Sequence, residues 1–280
     1  MTILEDQVLL DGPGGTATVI PFGAQVLEWA PTGESPVLWR SSSAVLDGSA
    51  PVRGGIPVCL PWFGRGRTGD LAPSHGFART TEWTPLGVGS GHEPQATFLL
   101  EHDPAGDPGT FPHCLRALLR VAITEDLVVS LTVTNTGDHT YDFEEALHTY
   151  FAVGDVKDVT LDGLEGADYQ DKVRGGDLWR SQVGEVAFVR ETDRVYRSDS
   201  TVVLHDPRRR RDITIDKDGS ADTVVWNPWV DRAAALPDLG DPEWQDFVCV
   251  EAANIGDDAI TLEPGEEHSM VLVIHVDPMA

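Results

Sequence analysis

Two short stretches of this sequence place an acid and a base where ordinary packing does not ask for them. In "EALHTYF", residues 145–151, strand alternation puts Glu145, Leu147, Thr149 and Phe151 on one face. Glu144, Ala146, His148 and Tyr150 fall on the other, a polar set in an apolar neighbourhood. In "DFVCVEAAN", residues 246–254, Glu251 shares a face with Phe247 and Cys249 while Val248, Val250 and Ala252 point away. A carboxylate on a Phe/Cys face backed by an all-aliphatic face is unusual for a solvated residue. Taken singly, a strand histidine is more often structural, and a lone glutamate is more often exposed. Brought together, they could pass a proton in each direction near neutral pH. Reference pKa values of about 6.5 and 4.3 favour a protonated histidine with an ionised glutamate below neutrality, and mutual attraction would widen that window.

A third stretch supplies charge. "RGGIPVCLPWFGRGRTGDLAPSHGFAR", residues 53–79, holds four arginines, Arg53, Arg65, Arg67 and Arg79. It would contain about four acids at the chain's average density, yet Asp70 is its only one. The surrounding chain is strongly acidic, with formal net charge −26 over 280 residues. Such a field repels nucleic acids and anionic lipid headgroups, so neither is an expected partner. A cationic island in it suits a small anionic ligand.

Other sites are excluded by context. "GRGRTG", residues 64–69, fits the spacing of a dinucleotide loop, but prolines interrupt the segment before it and no helix follows. Nine histidines offer neither an H-E-x-x-H pair nor a His/Cys cluster at metal-binding spacing, so no metal or other cofactor is expected. Cys59, Cys114 and Cys249 are odd in number, lack CxxC spacing and sit in apolar surroundings, as buried free thiols do. The opening "MTILEDQVLL" has no basic region or cleavage pattern, and the longest apolar runs are too short for a membrane helix. Reduced thiols and no membrane segment lead to the expectation of a cytoplasmic protein.

The elements that must position these groups read as strands. Short alternating or β-branched runs recur along the chain, separated by Gly, Pro, Asn and Asp clusters. Amphipathic helical periodicity is scarce, and "DRAAALPDLG" is at most a short helix. The fold class is therefore all-β and mostly antiparallel, with two large packed sheets at this length. "LVVSLTVTNTGDHTYDFEEALHTYF" reads as a hairpin turning at "NTGD", and "LHDPRRRRDITI" as a second whose arginine-rich tip is solvated.

In order along the chain, "RGGIPVCLPWFG", "SHGFAR", "ALHTYF", "DKV", "TDRVY", "VVWNPW" and "VCVEAAN" resemble the hexose-6-phosphate mutarotases, or glucose-6-phosphate 1-epimerases, a branch of the aldose 1-epimerase superfamily. The resemblance implies a galactose mutarotase-like β-supersandwich formed by residues 1–280 as one domain. It also implies a cofactor-independent exchange of the α and β anomers of a hexose 6-phosphate, with glucose 6-phosphate the leading choice, in a monomer. It makes His148 the acid at the ring oxygen and Glu251 the base at the anomeric hydroxyl. Arg53 and Arg79 match phosphate- and sugar-binding arginines, His75 a histidine near the reacting centre, and Asp193 an acid that holds sugar hydroxyls. Trp226 and Asn227 would help wall the cleft. Ser74 stands where some relatives carry a ligand-binding Gln, and a serine hydroxyl could still bond a phosphate or sugar oxygen. A mutarotase of unphosphorylated sugars and a non-catalytic sugar-binding protein are the alternatives. The paired arginines favour the phosphorylated class, and the acid/base pair favours an enzyme.

Overall fold

The computed structural model describes residues 2–105, 111–176 and 178–279. Antiparallel strands account for almost all of the regular structure, in two large sheets and two small ones. The larger sheet has nine strands, in spatial order Val186–Ala187, Thr160–Asp162, Val202–Asp206, Arg211–Asp218, Glu267–Pro278, Leu127–Asn135, Leu115–Ile123, Gln95–His102 and Thr84–Gly89. The second, here the cleft sheet, runs Trp179–Ser181, Asp168–Asp171, Thr192–Arg197, Asp222–Asn227, Phe247–Asn254, Glu145–Leu147 and Val58–Cys59. Tyr150–Ala152 also pairs with Phe247–Asn254. A three-stranded sheet spans Val8–Gly12, Gly15–Ile20 and Gln25–Ala30, and Tyr141–Phe143 pairs with Ile260–Leu262.

The two large sheets read differently in sequence because their faces meet different surroundings. Leu127–Asn135 mostly alternates buried and half-buried residues, as expected of a strand with one face in the core. Phe247–Asn254 is buried at every position. Its Val248, Val250 and Ala252 join the main core with Leu119, Val129, Ile213 and Leu272 of the nine-stranded sheet. Its other face carries Glu251 and Ala253, the latter packed with Cys59, Ala146, Val195, Val224 and Ile255. The carboxylate of Glu251 is thus fixed in the middle of a sheet, with covered surface on both sides.

Two local expectations change. The arginine-rich hairpin forms, with Asp206 opposite Arg211, but only part of its tip is solvated. Arg211 is buried and donates to the carbonyls of Ser35, Pro36 and Ala152, tying the tip to the body. The "NTGD" hairpin does not form. Leu127–Asn135 stays in the nine-stranded sheet, whereas Tyr141–Phe143 pairs with Ile260–Leu262 and Glu145–Leu147 enters the cleft sheet. Asn135 directs this crossing: its amide donates to the carbonyls of His139 and Leu262, and its Oδ1 accepts from the Gly137 N–H. The turn residues predicted a reversal, but a side-chain anchor carries the chain from one sheet to the other. The expected short helix is one turn, Trp229–Ala233. Cys59 and Cys249 are buried free thiols, and Cys114 is half-buried.

Candidate active site

The segment that reads as one strand through "EALHTYF" is broken at its chemically important residue. Leu147 pairs with Ala252 and Tyr150 with Cys249, while His148 and Thr149 leave the ladder between them. The Thr149 N–H turns back to the Leu147 carbonyl, and the His148 N–H donates to Pro57. This break faces Glu251. His148 Nδ1 lies 3.5 Å from Glu251 Oε1, with 6% and 1% of the two residues exposed. Neither His148 Nδ1 nor Glu251 Oε2 has a hydrogen-bond partner among the described residues. Buried polar atoms left in this state point to a ligand that completes them.

They open onto a cavity of about 430 Å³, within the roughly 300–1,000 Å³ of small-molecule sites. Arg53, Ser74, His75, Arg79, Asp193 and Trp226 all line it with the pair. Asn227 does not. It is fully buried behind the wall, where its amide donates to the carbonyls of Trp244 and Phe247 and its Oδ1 accepts from the Trp229 N–H. With every polar atom engaged, Asn227 shapes the turn into Trp229–Ala233 and has no group to offer a sugar. Arg65 and Arg67 also lie off this cavity, Arg67 pairing instead with Asp142.

His75 is held in a constrained position. Its φ of 64° is left-handed, a conformation costing of order 1–3 kcal/mol for a non-glycine residue. The following Gly76 also has positive φ, and a Cβ there would lie 1.9 Å from the Leu60 carbonyl oxygen. The "HG" pair of "SHGFAR" is therefore a backbone requirement. Its effect is to bring the imidazole edge-on to His148, with centroids 5.6 Å apart. The Gly64 N–H donates to His75 Nδ1 at 3.3 Å, which fixes the neutral tautomer with its proton on Nε2. Burial, then the nearby Arg79, Lys172 and Arg53 charges, hold the His75 pKa down at about 3, so it stays a neutral donor.

The electrostatics of the pair differ from the sequence expectation. Burial, followed by His75, Arg79 and Arg53, pushes the His148 pKa well below its ordinary value. Burial, followed by Asp193, pushes Glu251 well above its own. The buried site therefore favours neutral imidazole with protonated carboxyl over imidazolium with carboxylate, because desolvation penalises each charge. The neutral pair and the ion pair hold the same single proton, so passing between them requires no exchange with solvent.

Several wall residues were not identified from sequence. Lys172, Glu191, Arg232 and Leu236 also line the cavity. Lys172 sits with Nζ 4.9 Å from the centroid of the Phe63 ring. It is one of only three lysines and belongs to the "DKV" motif, which was the available signal. Arg232 had none. Arg53 is more engaged than an anion-binding arginine need be: Nε and Nη2 donate to the two oxygens of Asp238 at 3.1 Å each, and Nη1 donates to Tyr150 Oη at 3.0 Å. Arg79 donates to the Ser74 carbonyl, and its buried Nε has no partner among the described residues. None of Arg79, Lys172 and Arg232 forms an ion pair among the described residues. The same residues contain no group of three His, Cys, Asp or Glu side chains placed to hold a metal ion. Among the described residues no helix is long and apolar enough to cross a membrane.

Two large antiparallel sheets thus hold a buried histidine–glutamate pair at a polar cavity. The sequence profile of the aldose 1-epimerase family matches residues 6–275, and the chain belongs to that family. A protein of Cenchrus ciliaris, provisionally named glucose-6-phosphate 1-epimerase, is 35% identical over 276 residues, covering 94% of this chain and 82% of its own. An Escherichia coli K12 protein with the same provisional name is 33% identical, covering 89% and 83%. The crystal structure of a provisionally titled mutarotase from Salmonella typhimurium superposes with a TM-score of 0.89 at 29% identity, covering 98% and 92%.

Proposed function

We propose that the protein exchanges the α and β anomers of a hexose 6-phosphate, with glucose 6-phosphate the expected substrate, and that His148 and Glu251 carry the protons. The observation that supports this most strongly is their approach within 3.5 Å, buried and with unpartnered atoms, in a cavity also lined by Arg79, Lys172 and Arg232. The names of the relatives point to the same substrate.

The chemistry needs one base and one acid. Glu251 as carboxylate takes the proton of the anomeric hydroxyl while His148 as imidazolium gives its proton to the ring oxygen. The C1–O5 bond breaks with its electron pair going to O5, leaving an aldehyde at C1. Rotation about C1–C2 presents the other face, and the two groups return their protons as the ring closes. The pair first passes from its neutral resting form to the ion pair, and ring opening returns it to the neutral form that desolvation favours. His75 Nε2–H can donate to a sugar oxygen beside the reacting atoms, and Asp193 can accept from a hydroxyl. Trp226, edge-on to His148 at 5.9 Å, gives the sugar an apolar wall. The phosphate needs donors of positive charge, which Arg79, Lys172 and Arg232 offer in a chain that otherwise repels it.

Exchange NMR on the anomers of glucose 6-phosphate, glucose and galactose, with and without protein, tests the reading. The phosphorylated sugar is expected to exchange fastest. Acceleration confined to free sugars would replace the phosphate assignment with the wider aldose one, and no acceleration at saturation would leave a sugar-binding protein.

A further inference from the structure

The His148 imidazole carries no hydrogen bond at Nδ1 from any described residue, although a proton-transferring histidine is ordinarily oriented by one. The ring that lies parallel against it is Tyr150. The two rings lie parallel, with centroids 4.8 Å apart and planes within 7°. The remaining ring neighbours, His75 and Trp226, meet His148 edge-on and fix no plane of their own. Tyr150 is in turn fixed at its far end, where its hydroxyl accepts from Arg53 Nη1. Arg53 is fixed by the paired hydrogen bonds to Asp238, a residue of the segment after the Trp229–Ala233 helix and distant from His148 in sequence.

We propose that Asp238, Arg53 and Tyr150 form a positioning column that holds the plane of the His148 imidazole toward Glu251, and that Arg53 serves the reaction through this column rather than as the main phosphate ligand. Asp238 occupies the Nε/Nη2 edge of the guanidinium, one of the two edges that could take a phosphate in paired fashion. It also places negative charge where a phosphate would otherwise sit. Two of the five guanidinium N–H groups remain for other partners, one on each Nη, after the Nη1 bond to Tyr150. The backbone beside Arg53 is built for close approach, since a Cβ on Gly55 would lie 2.1 Å from the Val26 carbonyl oxygen.

The column rests on the reading of His148 as the proton donor, and the test separates the two. Asp238→Asn and Tyr150→Phe are made in the full chain, and anomer exchange is measured for both glucose 6-phosphate and glucose. The protons and nitrogens of the His148 ring are followed by NMR in histidine-labelled protein. Each variant is expected to lose about ten- to a hundredfold in kcat with KM changed less than about twofold, in equal proportion for whichever of the two sugars the wild type turns over. The His148 ring signals are expected to move, with the thermal midpoint close to wild type. Arg53→Lys keeps the charge and loses the fork, so it should behave as Asp238→Asn does. Two results overturn the column: unchanged His148 signals in Asp238→Asn, or an Arg53→Lys loss confined to the KM of the phosphorylated sugar. If the wild-type protein accelerates neither sugar, the proposed function itself fails, whatever the ring signals show.

Discussion

Two histidine–glutamate pairs with buried carboxylates meet the cleft sheet, and they behave in opposite ways. His148 and Glu251 stand 3.5 Å apart in the cavity with no hydrogen bond between them. His268 and Glu145 are 3.2 Å apart, and their contact is shared with Asn254, whose amide donates to Glu145 Oε1, and with the Gly219 carbonyl, which accepts from His268. The hydrogen bond to Glu145 raises the His268 pKa, whereas burial and the surrounding cations lower that of His148. Residue types are the same and both carboxylates are buried, so neither feature by itself makes a catalytic pair. The difference lies in the histidine and the cavity: His268 bonds the Gly219 carbonyl beside Glu145, whose Oε2 has no partner among the described residues, whereas His148 Nδ1 and Glu251 Oε2 both lack one and their residues line a cavity.

The largest test of that contrast is kinetic. His148→Asn is expected to lower anomer exchange by about 10²–10⁴-fold, the usual worth of a general acid, with little change in thermal midpoint. His268→Asn is expected to leave the exchange rate within about twofold while costing about 1–3 kcal/mol of stability, because Glu145 loses a hydrogen bond in a buried position. Melting curves and exchange NMR on the two variants check both halves, and a stable, slow His268→Asn would erase the distinction. Next in size is the charge of the cavity. Arg79→Ala is expected to raise KM for glucose 6-phosphate by about 10- to 100-fold, the worth of a charge-assisted hydrogen bond, with a smaller change for glucose. Equal losses on both sugars would move Arg79 from the phosphate to the sugar ring.

The smallest effect is the sign of pH dependence. His268 has a raised folded pKa, so its stabilisation is complete below the unfolded value of about 6.5 and is lost as pH rises through the folded one. His268→Asn should therefore cost more stability at pH 5 than at pH 9. His148 has a lowered folded pKa, so its burial costs nothing above about pH 6.5 and up to about 1.4 kcal/mol for each pH unit below it. His148→Asn should gain on the wild type as pH falls. Parallel pH profiles for the two variants would contradict the assignment of their environments.

Strand alternation made much of this legible. It put His148 and Tyr150 on one side of their segment and Glu251 on the Phe247/Cys249 face, and those sides meet in the cavity. The break in the ladder at His148 was not legible, because it depends on a carbonyl of Pro57 supplied from another segment. Alternation also misled at "NTGD", where local turn chemistry predicted a reversal that the Asn135 side chain overrides. The protonation of the pair was read from reference values that hold in water, and burial reverses it. Asn227 was assigned to the cleft from a motif whose tryptophan faces the cavity while its asparagine faces the core, one residue being enough to change sides. Arg232 in the one-turn helix Trp229–Ala233 and Asp238 just after it come from a segment whose docking leaves no periodic trace, so no pattern in the sequence marked them.

The measurement closest to the central claim compares wild type with Glu251→Gln by exchange NMR on glucose 6-phosphate, at equal folded fraction. Wild type is expected to exchange the anomers well above the uncatalysed rate, and the variant, isosteric but unable to take the anomeric proton, to fall to within a few-fold of that background. A Glu251→Gln protein that exchanged the anomers at the wild-type rate would contradict the assignment of the buried pair as the acid and base of this enzyme.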